Sequence, residues 1–350
     1  MIGVPDFDRV VRQYMDCWNL ENHDAPLLQI TAQKDGAVYR TPPLPLPERW
    51  TNVEHVIACA RERMNNTYYG GASYPFLWPN LGPDIFGAIM GCGLEFGDST
   101  SWAVHMDSEL KDIIFPPLDD GNKWWRKIQE MTAAILDDAK GDYIVAITDL
   151  HAGMDGLVSL RGPEALCVDL IEEPELVKQL NMDSFQLYKQ VYTRLDDMIR
   201  ERQTGSTNWM GIFHSDRWYV SSCDFMCMIS EDMYKEFVEP ELLLEIELYQ
   251  NSIFHLDGPD ALKHLDSLLA IDALAGIQWV YGAGQPTAAH WLEVLRRIQT
   301  AGKMIHIDAT EDDLPALKDA LQPEGLILNV SCSSEQRAGE LEAYVANWKR

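Results

Sequence analysis

Along residues 251–350, short apolar runs alternate with longer segments whose apolar positions recur at helical spacing. NSIFHLDG (251–258) reads as a strand and PDALKHLDSLL after it as a helix; AGIQWVYGAG (275–284) is the next strand. QPTAAHWLEVLRRIQTAG is a helix closed by Gly302, and GKMIHIDA (302–309) a strand. TEDDLPALKDAL is a helix, GLILNVSC (325–332) a strand, and SSEQRAGELEAYVANWK a final helix. Upstream the same rhythm is slower. DYIVAITD (142–149) is β-branched and apolar, and RGPEALCVDLIEE starts a helix with Pro163 in its first turn. A long helix is predicted from about Pro174 to Arg202, a strand within DRWYVSSCDF (216–225), and a helix over 230–250 with Ser230 as N-cap.

Strand–helix alternation at this spacing predicts a parallel sheet with helices packed on it. The expected fold is a single-domain α/β (β/α)8 TIM barrel over 1–350, with 1–70 as a helical or extended lead-in. A doubly wound sheet is the alternative. No Gly-x-Gly-x-x-Gly follows a first strand and no Walker loop is present, which weakens a nucleotide-binding version.

Composition narrows the function. Acidic residues outnumber basic ones 55 to 28, for a formal charge of −27. That field repels nucleic acid and anionic lipid, so neither is an expected partner. No segment has the ~20 apolar residues of a membrane helix, and the first residues show no signal-peptide pattern. The seven cysteines are scattered without Cys-x-x-Cys, which suits a reducing compartment. A cytoplasmic location is expected.

In such a barrel, polar groups at the C-terminal strand ends converge on one mouth. Here the strands end in Asp149 and His151; Cys223 and Asp224; His255 and Asp257; Gln278 and Trp279; His306 and Asp308; and Cys332. For any one of these, a loop polar group or helix cap is the plainer reading. Taken together they bring metal-ligating and proton-transferring groups to several strand ends. The best metal set is His255, Asp257 and Cys332, because imidazole, carboxylate and thiolate all bind zinc. His306 and Asp308 repeat the His-x-Asp spacing one strand later and compete with it. His214-Ser215-Asp216 reads as a loop, since adjacency in sequence is not triad geometry. The segment TYYGGASYPFLWPNLGPDIFGAIMGCG (67–93) is rich in aromatics, Gly and Pro. Tyr74, Trp78 and Asn80 in it, with Trp279, Gln278 and His306, are candidate substrate contacts; packed core is the equal alternative for the aromatics.

The run CDFMCMISEDMYKEFVEPELLLEIELYQNSIFHLDGPDALKHLDSLLAIDALAGIQW resembles the uroporphyrinogen decarboxylase superfamily. It shares an Asp near a strand end (Asp224), the Ile229-Ser230 helix start, Phe237-x-x-Pro240, and a strand ending in His-x-Asp-Gly. The resemblance covers about 140–350 and implies a (β/α)8 barrel. The arginine-bearing N-terminal signature of the porphyrinogen decarboxylases is absent. The corrinoid-dependent methyltransferase branch fits better: it uses His-x-Cys and a later Cys on zinc. His255 and Cys332 match that pattern, and Asp257 stands where the middle Cys would be. The resemblance therefore implies methyl transfer between a small methylated or methoxylated substrate and a methylcorrinoid carried by a corrinoid-binding partner protein. Zinc would be the metal, and Asp257, Asp224 and His151 the candidate catalytic groups. Two alternatives stay open: a metal-independent decarboxylase-like lyase using Asp149, Asp224 or His306 for proton transfer, and a non-catalytic ligand-binding barrel. A homodimer is also left open.

Overall fold

A computed structural model describes residues 1–348 as a mixed α/β molecule. The strands are β1 (Leu27–Gln33), β2 (Thr67–Gly71), β3 (Phe76–Leu77), β4 (Gly93–Phe96), β5 (Ser101–Val104), β6 (Ile144–Val145), β7 (Tyr219–Ser222), β8 (Ser252–Asp257), β9 (Gly276–Val280), β10 (Met304–Ala309) and β11 (Leu326–Ser331). Seven form the central sheet, in the order β2-β1-β11-β10-β9-β8-β7. All its pairings are parallel except β1 with β2. β3 and β6 form a separate parallel pair, and β4–β5 an antiparallel hairpin. Among the described residues no ladder joins the β3–β6 pair to the central sheet.

The parallel strands are near-continuous apolar runs because helices cover the outer face and side chains fill the inner one. Leu326, Ile327 and Leu328 of β11 are fully buried, as are Ile253, Phe254 and Leu256 of β8. The predicted units from 251 onward fall where the sequence placed them. The segment expected as a lead-in contributes β1, which lies inside the sheet between β11 and β2. DYIVAITD yields only a two-residue ladder, because backbone bonds from Ile144 to Pro75 and from Ile147 to Thr207 replace a regular partner strand.

The helices start where their caps allow. Asn122 accepts from the Trp125 N–H, Ser230 from that of Met233 and Ser334 from that of Arg337. The helix Pro174–Arg200 buries Val177, Tyr188, Val191, Tyr192, Leu195 and Ile199 along one stripe. Tyr188 and Tyr192 meet Tyr219 of β7 and Tyr249 in an aromatic cluster that anchors this helix beneath the β7 end. No described helix is long and apolar enough to cross a membrane.

Gly71 ends β2 at φ +59, and a Cβ there would stand 2.2 Å from the Leu28 carbonyl oxygen. Both the backbone conformation and the close approach exclude a side chain. Gly71→Ala is expected to lower unfolding free energy by about 2 kcal/mol, read as a lower urea midpoint at unchanged slope.

Candidate metal and proton-transfer site

Parallel register places Ser222, His255, Gln278 and His306 side by side on β7, β8, β9 and β10. Residues in register across a parallel sheet point to the same face, so these four form one polar row across the sheet. His255 is its centre. Its Nδ1 lies 2.6 Å from Gln278 Oε1. An amide oxygen can only accept, so Nδ1 donates in this bond and Nε2 is the nitrogen turned toward Asp224 and open to ligation. The Trp209 ring meets the imidazole edge-on at 5.3 Å and limits its rotation.

His255 Nε2 faces Asp224 Oδ1 at 3.9 Å. Asp257, the last residue of β8, completes a group in which one ligand atom from each residue lies within 4.8 Å of the others. Tetrahedral zinc ligands at ordinary bond lengths stand roughly 3.3 Å apart, so closing the Asp224–His255 gap onto an ion takes well under ~1 Å of movement. One imidazole nitrogen and two carboxylates, with Gln278 fixing the tautomer, are a donor set that fits zinc.

A second group adjoins the first through Asp224. His151 Nε2 lies 3.2 Å from Asp149 Oδ1, and its Nδ1 is 3.6 Å from Asp155 Oδ2 and 3.1 Å from Ser222 Oγ. His151, Asp155 and Asp224 again fall within 4.8 Å of one another. Asp155 accepts from the N–H groups of Asp224 and Phe225 at 2.8 and 2.9 Å, so it caps the turn that presents Asp224. Burial opposes a charge on His151, but Asp149 and Asp155 outweigh it and hold its pKa well above the usual histidine value. Loss of solvent and the Asp155 carboxylate push Asp224 up to about 6, against the pull of His151 and His255. Its side chain nonetheless keeps 53% exposure, which leaves one carboxylate edge open to solvent.

Behind this pole, Glu241 and Glu245 are both buried on the helix Glu239–Tyr249. Burial and the Glu245 charge raise Glu241 well above the carboxylate range. Burial raises Glu245 to about 7, while hydrogen bonds from Ser221 and Glu241 hold it down from higher. A neutral Glu241 donating to Glu245 accounts for both. A Cβ on Gly153 would come within 2.6 Å of Glu241 Oε2, so only glycine fits where the Asp155 helix begins.

The remaining expected residues divide. Gln278 is in the site as the partner of His255. His306 belongs to the row but is sealed: it is 3% exposed, bonds Gln29 Oε1 at 3.1 Å, and burial lowers its pKa to about 4. It is therefore a neutral inner-core histidine. Trp279 follows Gln278 on β9, so the pleat turns it to the opposite face; it is 1% exposed and packs edge-on against Trp291. Tyr74 is core as well, with its hydroxyl donating to Thr207 Oγ1 and its ring against Phe7, Tyr14 and Phe213. Trp78 and Asn80 line a separate cavity, described below. Cys332 is not drawn to His255 and Asp257: its thiol contacts the Thr31 and Ser334 carbonyls, and no group within 4.8 Å contains it among the described residues. β9 and β10 stand between β8 and β11, and sequence spacing carried no information on that separation. Burial also raises the Cys332 thiol, away from the thiolate a metal needs. His214 only caps its own loop, with Nδ1 accepting from the Asp216 N–H at 2.8 Å.

Asp155, Glu241 and Glu245 were not anticipated as site residues. A helix-start Asp two residues after His-Ala-Gly, and Glu241 and Glu245 four apart on a Leu-rich helix that also carries Glu239 and Glu247, were the signals available.

No protein-family model matches the chain, and no curated protein matches it in sequence. Among solved structures, the chain is similar to a methyltransferase from Methanosarcina mazei, with a TM-score of 0.61 at 14% identity. That match spans 97% of this chain and 98% of the other. At this identity the likeness establishes a fold shared along the whole length, a mixed α/β architecture built on a parallel-rich sheet.

Proposed function

We propose that this chain is a methyltransferase-like enzyme that moves a methyl group between a small methylated or methoxylated substrate and a corrinoid carried by a partner protein. On this reading β1, β3 and β6 through β11 are the eight strands of a (β/α)8 barrel, and the reactive pole is at its mouth. The observation that carries the proposal is the convergence of Asp224, His255 and Asp257 with the His255 tautomer fixed by Gln278. The full-length likeness to a methyltransferase and the resemblance of residues 223–279 to the corrinoid-dependent branch support it.

Asp224, His255 and Asp257 would hold zinc, which when bound draws electron density from the heteroatom bearing the methyl group. The chain supplies the rest. When a methyl–oxygen bond breaks, the methyl goes to the nucleophilic acceptor, and the oxygen keeps the bonding pair and takes one proton. His151, an imidazolium within 4.8 Å of Asp224, is the group placed to give it.

Two measurements test this. Chelated protein reloaded with zinc should hold one equivalent; Asp224→Asn should lose it and Cys332→Ser should keep it. Loss in Cys332→Ser with retention in Asp224→Asn would overturn the ligand assignment. Separately, reduced cobalamin is incubated with methoxylated and methylated compounds and zinc-loaded enzyme. Zinc-dependent methylation, seen in its absorption spectrum, is expected for at least one compound. No turnover with any donor, also when the partner corrinoid protein is supplied, would overturn the activity.

A further inference from the structure

A cavity of about 340 Å3 lies between the helix Val53–Asn65, the segment before it and the end of β3. It shares no lining residue with the carboxylate–imidazole pole. Its volume is in the range that holds a small organic molecule. Two indoles form part of its wall. Trp50 is fixed by donating from Nε1 to the Gly97 carbonyl at 3.0 Å, and Trp78 is fixed by stacking on Phe76 at 5.8 Å and 19°.

The polar groups of this cavity are nearly all donors, and several have no acceptor. Trp78 Nε1 is buried without a hydrogen-bond partner. Asn80 uses its Oδ1 to accept from the Gly82 N–H at 2.9 Å, and its amide N–H groups carry no partner among the described residues. Arg63 stands on the exposed rim of the cavity, and its guanidinium has no ion pair among the described residues. Arg49 also lines the cavity, but it is held by the carbonyls of Gly97 and Asp98 and lies 3.5 Å from the Asp98 carboxylate. In a chain of charge −27, two guanidinium groups thus face a single carboxylate. Of these donors the Trp78 N–H is the buried one; buried donors seldom stay unmatched in folded proteins, and an indole N–H cannot act as an acceptor.

We infer that this cavity is a binding site for a small planar aromatic carboxylate. An aromatic ring gains contact with the indole walls, and a carboxylate supplies the acceptors that Arg63, Trp78 and Asn80 lack. Neither half of such a ligand suffices. A bare anion leaves the indole walls unfilled, and a neutral arene leaves the donors unmatched. The inference is independent of the methyl-transfer reading, because it uses no residue of that pole.

The test is titration of the full chain with benzoate and 4-hydroxybenzoate, followed by calorimetry and by tryptophan emission. Saturable one-to-one binding with a dissociation constant near ~0.1 mM is expected. Cyclohexanecarboxylate, benzyl alcohol and inorganic phosphate should each bind at least about tenfold more weakly. Arg63→Met should weaken benzoate about tenfold, and Trp78→Phe, which keeps a ring but removes the N–H, by a smaller factor. Both variants should keep the wild-type far-ultraviolet circular dichroism and melting temperature, since neither group bonds to the rest of the protein. Equal affinity for benzoate and cyclohexanecarboxylate would overturn the aromatic part. Phosphate binding as tightly as benzoate, or an unchanged affinity in a folded Arg63→Met, would overturn the carboxylate part.

Discussion

His255→Ala is expected to lower methyl transfer by about 10³-fold, roughly 4 kcal/mol of transition-state stabilisation, and to abolish stoichiometric zinc binding. His255 is the only nitrogen donor in the group formed with Asp224 and Asp257, and its Nε2 is freed for ligation by the bond from Nδ1 to Gln278. Truncation leaves two carboxylates with no compensating donor. The same logic grades a second variant. Gln278→Ala leaves the imidazole in place but releases its tautomer and orientation, and supporting contacts of this kind are worth about 10- to 100-fold in metal affinity. The ordering His255→Ala, then Gln278→Ala, then Cys332→Ser is the signature to measure, by metal content and turnover on the same preparations. Equal zinc and equal activity in folded His255→Ala would remove this pole from the chemistry.

Glu241→Gln is expected to stabilise the protein at pH 8 by at least about 1 kcal/mol while changing little at pH 4.5. The sign follows from burial. The unfolded chain ionises these carboxyls near 4.5, whereas in the folded protein Glu245 titrates at about 7 and Glu241 well above its usual value. A raised folded pKa gives a contribution that is fully present below pH 4.5 and is lost as pH rises through about 7. Removing one ionisable group deletes that loss, and Gln keeps a donor for Glu245. His151 also has a raised pKa, and the −27 charge adds repulsion at high pH, so the informative quantity is variant minus wild type. Urea midpoints from pH 4.5 to 8.5 supply it. A difference that does not vary with pH would show that the pair is not holding a proton in the folded state.

These two sites differ in how much of them could be read from the chain. The units from 251 to 348 were legible because each strand is a short apolar run buried on both faces, and each is closed by Gly or by a polar turn. Gly258, at positive φ, marks the close of β8, and Gly302, also at positive φ, closes the helix before β10. β3 was not legible, and of β6 only the apolar run DYIVAITD around it was. Their ladders are two residues long, and most of their backbone partners come from irregular segments such as Pro75 and Thr207. β1 looks like part of a lead-in until β11 is placed beside it, about 300 residues later in the chain.

The sequence by itself determined that His255 and Asp257 stand together at a strand end, because a run of buried aliphatic residues broken by Gly-Pro allows little else. It determined likewise that Asp224 and His151 lie just beyond strands. Only the tertiary structure decided which of these groups meet. The register of β7 on β8 sets Asp224 against His255, and the helix carrying Asp155 folds back to hold the Asp224 turn. The same register keeps Cys332 on the far side of β9 and β10, and the pleat turns Trp279 away from the row that Gln278 joins. The physical reason is the reach of the two kinds of information. Periodicity and turn chemistry act over a few residues, whereas a ligand set depends on register and helix packing between segments tens to hundreds of residues apart.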